Sequence, residues 1–306
     1  MSKKCFFLLL SALLTLSLAC AAAEGASVTV TDMFDREVTL SEPATRIVAL
    51  TASDCEILCA LGCEELLVGR GAYCDYPASI QALPIVQSGA DTNIEEILAL
   101  EPQVVVMGDM AQSKEQVEML ERNGVKTVVS NANDMEGVYT AIRIIGALVG
   151  KDAEAGALIG DMQAAFDGMR EGSENTGKTV YFEVSPLQYG LWTAGSDTFM
   201  DELAAMCGLT NAFADVSGWG AVSEEQVIVR DPDYIVTVAM YFGEGPTPVE
   251  EIMGRTGWDG MKAVRSGAIL NADSDSISRP GPRLKDAALE LYNFIQEHEA
   301  EEIPAA

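Results

Sequence analysis

One sequence pattern occurs twice in this chain, and it limits the folds that the chain can adopt. Residues 95–106 and 225–236 each present, in the same order, an apolar helical turn, an acidic residue, a proline and a β-branched strand. Glu95 and Glu225 each stand seven residues before their proline. A repeat that keeps its whole register indicates two copies of one supersecondary unit. The sequence therefore predicts two similar lobes, each with one glutamate at an equivalent surface position.

The segments around each copy alternate between short strands and helices. In the first half, apolar strands at 46–50, 104–107 and 126–129 accompany a helix at 114–122. Alternation at this spacing favours a parallel sheet with helices on both faces. From 134 to 170 the pattern is helical and is interrupted only at glycine 150, which suits a connector. We therefore predict an α/β protein with two Rossmann-like lobes, mainly parallel sheets and a single long connecting helix.

The predicted boundaries divide the chain into five parts. They are a signal peptide (1–23), an N-terminal lobe (27–149), the connecting helix (151–172), a C-terminal lobe (177–297) and an acidic tail (298–306). Two helix starts are also expected. Ser53, with Glu56 three residues later, has the spacing of a capping box. Pro282 suits the first turn of a last helix over 282–296.

The first residues have the features of an export signal. A basic start at Lys3 and Lys4 precedes an apolar run over 6–18, which is short for a membrane span, and small residues follow. The run 16–20 resembles the lipobox of bacterial lipoproteins, although Ser17 stands where that pattern prefers leucine. We therefore expect a periplasmic or cell-surface protein anchored through an acylated Cys20. Ordinary cleavage after Ala21 or Ala23 is the alternative.

The chain is strongly acidic, with 47 Asp and Glu against 19 Lys and Arg and a formal net charge of −28. Such a surface repels phosphate backbones and anionic lipid headgroups. Nucleic acid is therefore excluded as a partner, and we expect membrane contact only through the lipid anchor.

Five cysteines lie beyond the signal region. Cys55 and Cys59 are four residues apart in a predicted helix, and this spacing gives poor disulfide geometry. We therefore interpret these thiols as small buried hydrophobic side chains. A metal site is not expected, since the chain has a single histidine, His298. The five are Cys55, Cys59, Cys63, Cys74 and Cys207.

Sequence motifs for catalysis are missing. The chain has no phosphate-binding loop, no dinucleotide fingerprint and no nucleophile elbow, and one histidine makes nucleophile–histidine pairs improbable. We therefore predict a protein that is not an enzyme and needs no cofactor. The alternative is an exported two-lobe α/β enzyme that acts on a small molecule in the cleft between its lobes.

Aromatic residues occur in loops where a cleft would lie. Tyr73 and Tyr76 follow a strand of the first lobe, while Trp192 and Trp219 belong to the second. Ligands of α/β sheets bind beyond the carboxyl ends of the strands, where such loops emerge. We expect these four residues to bind a large, flat, partly apolar ligand.

Arginines offer a polar contact to the same ligand. Arg279 and Arg283 flank a rigid Pro-Gly-Pro segment, and Arg70 stands at the end of a strand. Arg279 and Arg283 are predicted ligand-binding residues; the alternative is that either forms an ion pair at the surface.

Five segments together resemble the class III solute-binding proteins of ABC importers, which serve cobalamin, haem and iron-siderophore uptake. They are 73–77, 93–102, 192–195, 223–227 and 279–283. The resemblance implies two lobes joined by one rigid helix, small closing motions and, we expect, a monomer. It also implies that Glu95 and Glu225 dock onto arginines of a permease dimer.

The resemblance implies a metal chelate as ligand, with a corrinoid ranked first, an iron siderophore second and haem third. The cobalamin-binding members carry a further tryptophan shortly before the first docking glutamate, where this chain has residues 87–89, Gln-Ser-Gly. Anionic siderophores would need a basic pocket, and haem would have a tyrosine ligand without a histidine.

Overall fold

The computed structural model describes residues 27–89, 92–108, 114–173 and 177–302. The predicted signal peptide, including Cys20, and residues 303–306 of the predicted tail lie outside the described residues. Within the described ranges, none of the helices is both long and apolar enough to cross a membrane.

The N-terminal lobe is built on a five-stranded parallel sheet. A hairpin of β1 and β2 precedes it, and the strands follow the order β5-β4-β3-β6-β7. Its elements are β1 (Val28–Thr31), β2 (Glu37–Leu40), β3 (Ile47–Ala49), α1 (Ala52–Ala60), β4 (Leu67–Gly71), β5 (Ile85–Val86), α2 (Ile94–Ala99), β6 (Val104–Met107), α3 (Lys114–Arg122), β7 (Lys126–Val129) and α4 (Met135–Leu148).

The helix α5 (Asp152–Gly172) connects the two lobes. Its buried side chains Ile159, Met162, Phe166 and Met169 recur every three or four residues and therefore share one face. That face packs against α4 of the first lobe and against two helices of the second. The predicted connector is thus present as one 21-residue helix.

The C-terminal lobe contains a second, mixed sheet. Its strand order is β11-β9-β8-β12-β13, with β8, β10, β12 and β13 parallel to one another, while β9 runs antiparallel to both of its neighbours, β8 and β11. Its elements are β8 (Thr179–Ser185), β9 (Trp192–Ala194), α6 (Phe199–Met206), β10 (Thr210–Asn211), β11 (Trp219–Ala221), α7 (Glu224–Arg230), β12 (Tyr234–Thr237), α8 (Pro248–Met253), α9 (Lys262–Ser266), β13 (Ile269–Asn271), α10 (Ser274–Ser278) and α11 (Leu284–Glu302). The predicted two-lobe α/β class is confirmed.

The sequence repeat corresponds to the same unit in each lobe. The helices α2 and α7 begin after Asn93 and Ser223, whose side chains accept hydrogen bonds from the backbone N–H groups three residues later. Glu101 and Asp231, one residue before each proline, both adopt left-handed backbone conformations, with φ of 49° and 45°. The following strands, β6 and β12, each pair with the first sheet strand of their lobe.

The predicted starts of two helices are wrong. Helix α1 begins after Thr51, so Ser53 lies inside it and caps nothing, and Glu56 turns inward. The last helix begins at Leu284 rather than at Pro282 and continues to Glu302. His298, assigned to a tail, lies in this helix, and its ring contacts Phe294 with the centroids 4.3 Å apart.

Candidate ligand-binding and docking sites

A buried carboxylate joins the two lobes. Glu56 of α1 accepts hydrogen bonds from Nη1 of Arg279 at 3.0 Å and from Nε and Nη2 of Arg283 at 2.9 and 2.7 Å. The Glu56 side chain is 2% exposed, and the two arginine side chains are 14% and 16% exposed. Arg279 and Arg283 lie in the turn before α11, so this ion cluster fastens helix α1 to the C-terminal lobe.

Further acids complete the ion cluster. Arg279 also pairs with Asp75 at 2.8 Å and with Asp275 at 2.7 Å, and Asp273 lies 3.8 Å from Arg283. The guanidinium group of Arg283 stacks over the ring of Tyr76, 4.2 Å from its centroid. Four carboxylates therefore surround two arginines, both of which sequence reasoning assigned to ligand binding.

The loop with Tyr73 and Tyr76 is shaped by Arg70. This buried arginine donates hydrogen bonds to backbone carbonyls on both sides of the loop, including those of Cys74 at 2.9 Å and Ile80 at 3.1 Å. Its guanidinium group therefore forms its hydrogen bonds within the N-terminal lobe. The loop presents Tyr73, which is 81% exposed, and the half-exposed Tyr76.

The two tryptophans lie on the antiparallel pair of strands β9 and β11. Trp219 pairs with Ala194 and Trp192 with Ala221, which places both rings diagonally on one face of this strand pair. The Trp219 ring packs against Phe199 at 5.4 Å between centroids. The backbone N–H of Phe199 donates to the carbonyl of Asn133, in the loop before α4. This group is thus joined through Phe199 to the N-terminal lobe.

A cavity of about 800 Å³ opens at the carboxyl ends of β8 and β12. Its wall includes Tyr189, Tyr241 and Phe242, and all three side chains are exposed. Ser274 and Ser278 form the side nearest the ion cluster. Sequence reasoning missed these aromatics, although the position of Tyr241 and Phe242 shortly after a buried strand was a usable signal.

The floor of the cavity carries a second buried ion pair. Glu183, at the end of β8, receives two hydrogen bonds from Arg255, at 2.7 and 2.9 Å, and Glu251 holds the other side of the guanidinium group. Burial lowers the pKa of Arg255, but the bonds from Glu183 and Glu251 outweigh that effect and raise it. The described lining residues include Glu183, Glu244 and Glu251 but no lysine or arginine.

The predicted docking residues occupy equivalent positions at the start of the two repeated helices. Glu95 and Glu225 are each the second residue of their helix, α2 and α7, and both side chains are exposed. A backbone hydrogen bond and the Ser223 hydroxyl lower the pKa of Glu225, which stays ionised at neutral pH. Carboxylates in a first helical turn are also stabilised by the helix dipole.

Comparisons with known proteins place the chain in one family. The family described as periplasmic binding protein matches residues 47–276. The chain is 31% identical over 275 residues to the uncharacterized ABC transporter substrate-binding lipoprotein YvrC of Bacillus subtilis (strain 168), covering 88% of this chain and 85% of the relative. It is 26% identical over 257 residues to the vitamin B12-binding protein of Pectobacterium carotovorum subsp. carotovorum (strain PC1), covering 82% and 88%.

Two solved structures have the same fold, and the match with this chain extends over nearly the whole length of each of them. A possible iron-binding (periplasmic solute-binding) protein of Staphylococcus epidermidis ATCC 12228 superposes with a TM-score of 0.69 at 28% identity, covering 83% of this chain and 99% of that chain. The haem-binding protein HutB of Vibrio cholerae gives 0.75 at 21% identity, covering 82% and 98%. The chain therefore belongs to the periplasmic binding protein family, as a class III solute-binding protein of an ABC importer.

Proposed function

We propose that this chain is an exported carrier of a large metal complex with no net negative charge, with a corrinoid ranked first, a ferric siderophore second and haem third. The observation that carries the proposal is the charge of the cleft. Four carboxylates surround Arg279 and Arg283, and the neighbouring cavity adds three glutamates against Arg255. A negative site with low-dielectric walls repels anions and favours neutral or cationic ligands.

Aromatic side chains supply the apolar contacts of this site. Tyr189, Tyr241 and Phe242 line the cavity, while Tyr73 and Tyr76 extend from the opposite lobe. Such side chains bind a flat macrocycle through stacking and buried area. The exposed aromatic residues of the C-terminal lobe supply the contact that the cobalamin-binding members make with a tryptophan at the position of residues 87–89. The propionates of haem and the carboxylates or catecholates of many siderophores would be repelled by the acidic rim.

Ligand binding is tested by titrating the purified protein with cyanocobalamin, a ferric hydroxamate and haemin and following thermal stability. A ligand at 100 times its Kd stabilises a protein by about 2.7 kcal/mol. We expect the largest shift with the corrinoid and its loss in Phe242→Ser. The variant Phe34→Ser is the matched control, because Phe34 is a half-exposed phenylalanine of the β1–β2 hairpin. Preferential binding of haemin would refute the charge argument.

We also propose that Glu95 and Glu225 dock onto arginines of a permease dimer. Two equivalent acids on two equivalent helices suit a partner with two equivalent basic sockets. An exposed ion pair contributes only about 0.2–1 kcal/mol, so these contacts set register and encounter rate more than affinity. The protein acts as a monomer, held near the permease by a lipid on Cys20.

Docking is tested by uptake with Glu95→Arg, Glu225→Arg and the double variant. We expect uptake to fall while ligand affinity stays unchanged, with the largest loss in the double variant. Glu171→Arg is the control, since Glu171 is an exposed acid near the end of α5, on a different helix. Normal uptake by the double variant would exclude this docking role without affecting the ligand assignment.

A further inference from the structure

Two thiols from different elements meet beneath the aromatic loop. Sγ of Cys55, in α1, lies 3.8 Å from the backbone carbonyl oxygen of Ala49. Sγ of Cys74, in the loop between Tyr73 and Tyr76, lies 3.7 Å from the same oxygen. Both side chains are buried, and both thiols donate to this one carbonyl oxygen.

From this geometry we propose that Cys55 and Cys74 form a disulfide in the exported protein and so tie the aromatic loop to α1. Exported proteins enter compartments in which disulfides form and persist. Two of the other thiols have different surroundings: Cys63 donates to the backbone carbonyl of Leu61, and Cys207, in the C-terminal lobe, donates to that of Ala288. The inference does not depend on the ligand or on permease docking.

The reaction is an oxidation of two thiols. One Sγ–Sγ bond forms, the two S–H bonds break, and two protons and two electrons pass to an exogenous disulfide, which is reduced to two thiols. That oxidant is either a small-molecule disulfide or an exported thiol–disulfide oxidoreductase. The neighbouring Cys74 thiol and burial raise the pKa of Cys55, so the folded dithiol reacts slowly. The bond therefore forms before the loop packs over α1.

Two consequences follow for the folded protein. The bond links residues 19 positions apart, so it restricts the unfolded chain and raises the midpoint of denaturation. It also anchors the backbone between Tyr73 and Tyr76. The same backbone segment is held by the hydrogen bond from Arg70 to the carbonyl of Cys74 and by the ion pair of Asp75 with Arg279. Oxidised protein should therefore unfold at higher denaturant concentration than reduced protein, and Cys74→Ser should abolish the difference.

A glutamate-specific protease separates the competing pairs. Cleavage after Glu37, Glu56, Glu64, Glu65 and Glu95 puts Cys55 in peptide 38–56, both Cys59 and Cys63 in peptide 57–64, and Cys74 in peptide 66–95. Denatured, reduced protein is refolded with reduced and oxidised glutathione, alkylated in denaturant and digested without reductant. We expect peptides 38–56 and 66–95 to be joined, with a mass two hydrogens below their sum.

The controls distinguish this bond from random oxidation. Cys207→Ser should retain the joined peptides, and Cys55→Ser should leave Cys74 alkylated. Mapping of the unsubstituted protein decides the question even if a variant fails to fold. Alkylation of both Cys55 and Cys74 after refolding, or linkage of peptide 66–95 to peptide 57–64, overturns the proposal.

Discussion

Replacement of Glu56 by glutamine tests whether the ion cluster holds the two lobes together. The carboxylate of Glu56 receives three hydrogen bonds from Arg279 and Arg283, at 2.7 to 3.0 Å. Glutamine keeps the shape of the side chain but loses its charge and turns an N–H₂ group toward the guanidinium groups. Two arginines then share the remaining aspartates, all of which are more exposed than Glu56.

The size of the effect follows from burial. Removing one partner of a buried ion pair costs about 3–5 kcal/mol, because the other charge is left without compensation. The lower end applies here, since Arg279 keeps two aspartates and both arginines retain some contact with solvent. We therefore expect Glu56→Gln to lower the free energy of unfolding by about 3 kcal/mol, or Tm by roughly 6–12 °C.

Chemical denaturation measures this loss, and an exposed ion pair provides the comparison. Glu136 and Arg143 are 2.8 Å apart on α4, with 69% and 51% of their side chains exposed. Glu136→Gln should therefore cost at most about 1 kcal/mol. If Glu56→Gln costs no more than Glu136→Gln, the ion cluster does not hold the lobes, and our view of a fastened junction is wrong.

Two further predictions concern the N-terminal lobe. Burial raises the pKa of Asp54 from 3.8 to about 6, so between those pH values the folded protein keeps a proton that the unfolded chain has lost. The free energy of unfolding should therefore fall by about 3 kcal/mol as pH rises through this window. Asp54→Asn should remove this pH dependence, so identical pH profiles of stability for the variant and the unsubstituted protein would contradict the prediction. Arg70→Met removes the donors to the carbonyls of Cys74 and Ile80, so it should cost about 3 kcal/mol and weaken ligand binding; unchanged affinity would show that Arg70 does not position Tyr73 and Tyr76.

The repeat and its consequences could be predicted from the sequence because they are local. The register that places Glu95 and Glu225 at equivalent helix positions depends on cap, turn and proline within a few residues. The same local reasoning failed at α1, where Ser53 and Glu56 have capping-box spacing. Thr51 and Asp54 have this spacing two residues earlier, the helix begins there, and their side chains hydrogen-bond to each other.

The ion cluster could not be predicted, since its members are far apart in the chain. Glu56 and Arg279 are separated by 223 residues, and neither has a neighbour in sequence that indicates the other. The thiol pair was missed for a similar reason. Spacing within the helix directed attention to Cys55 and Cys59, while Cys74, whose thiol shares the Ala49 carbonyl oxygen with that of Cys55, is in a loop after the next strand. Contacts of this kind depend on how whole elements pack, which hydrophobic periodicity does not specify.

The two junctions between the lobes limit how this carrier exchanges its ligand. One continuous apolar core includes Ile57 of α1, Phe166 of α5 and Leu291 of α11, and the ion cluster fastens the same region. A wide hinge motion would expose that core and separate Glu56 from its arginines. The exposed aromatic side chains beside β12, Tyr241 and Phe242, are outside the ion cluster, whereas the loop with Tyr73 and Tyr76 is held by Arg70 and Arg279. Ligand entry should therefore require movement of the aromatic wall beside β12, and selectivity should depend on a largely preformed, acidic site.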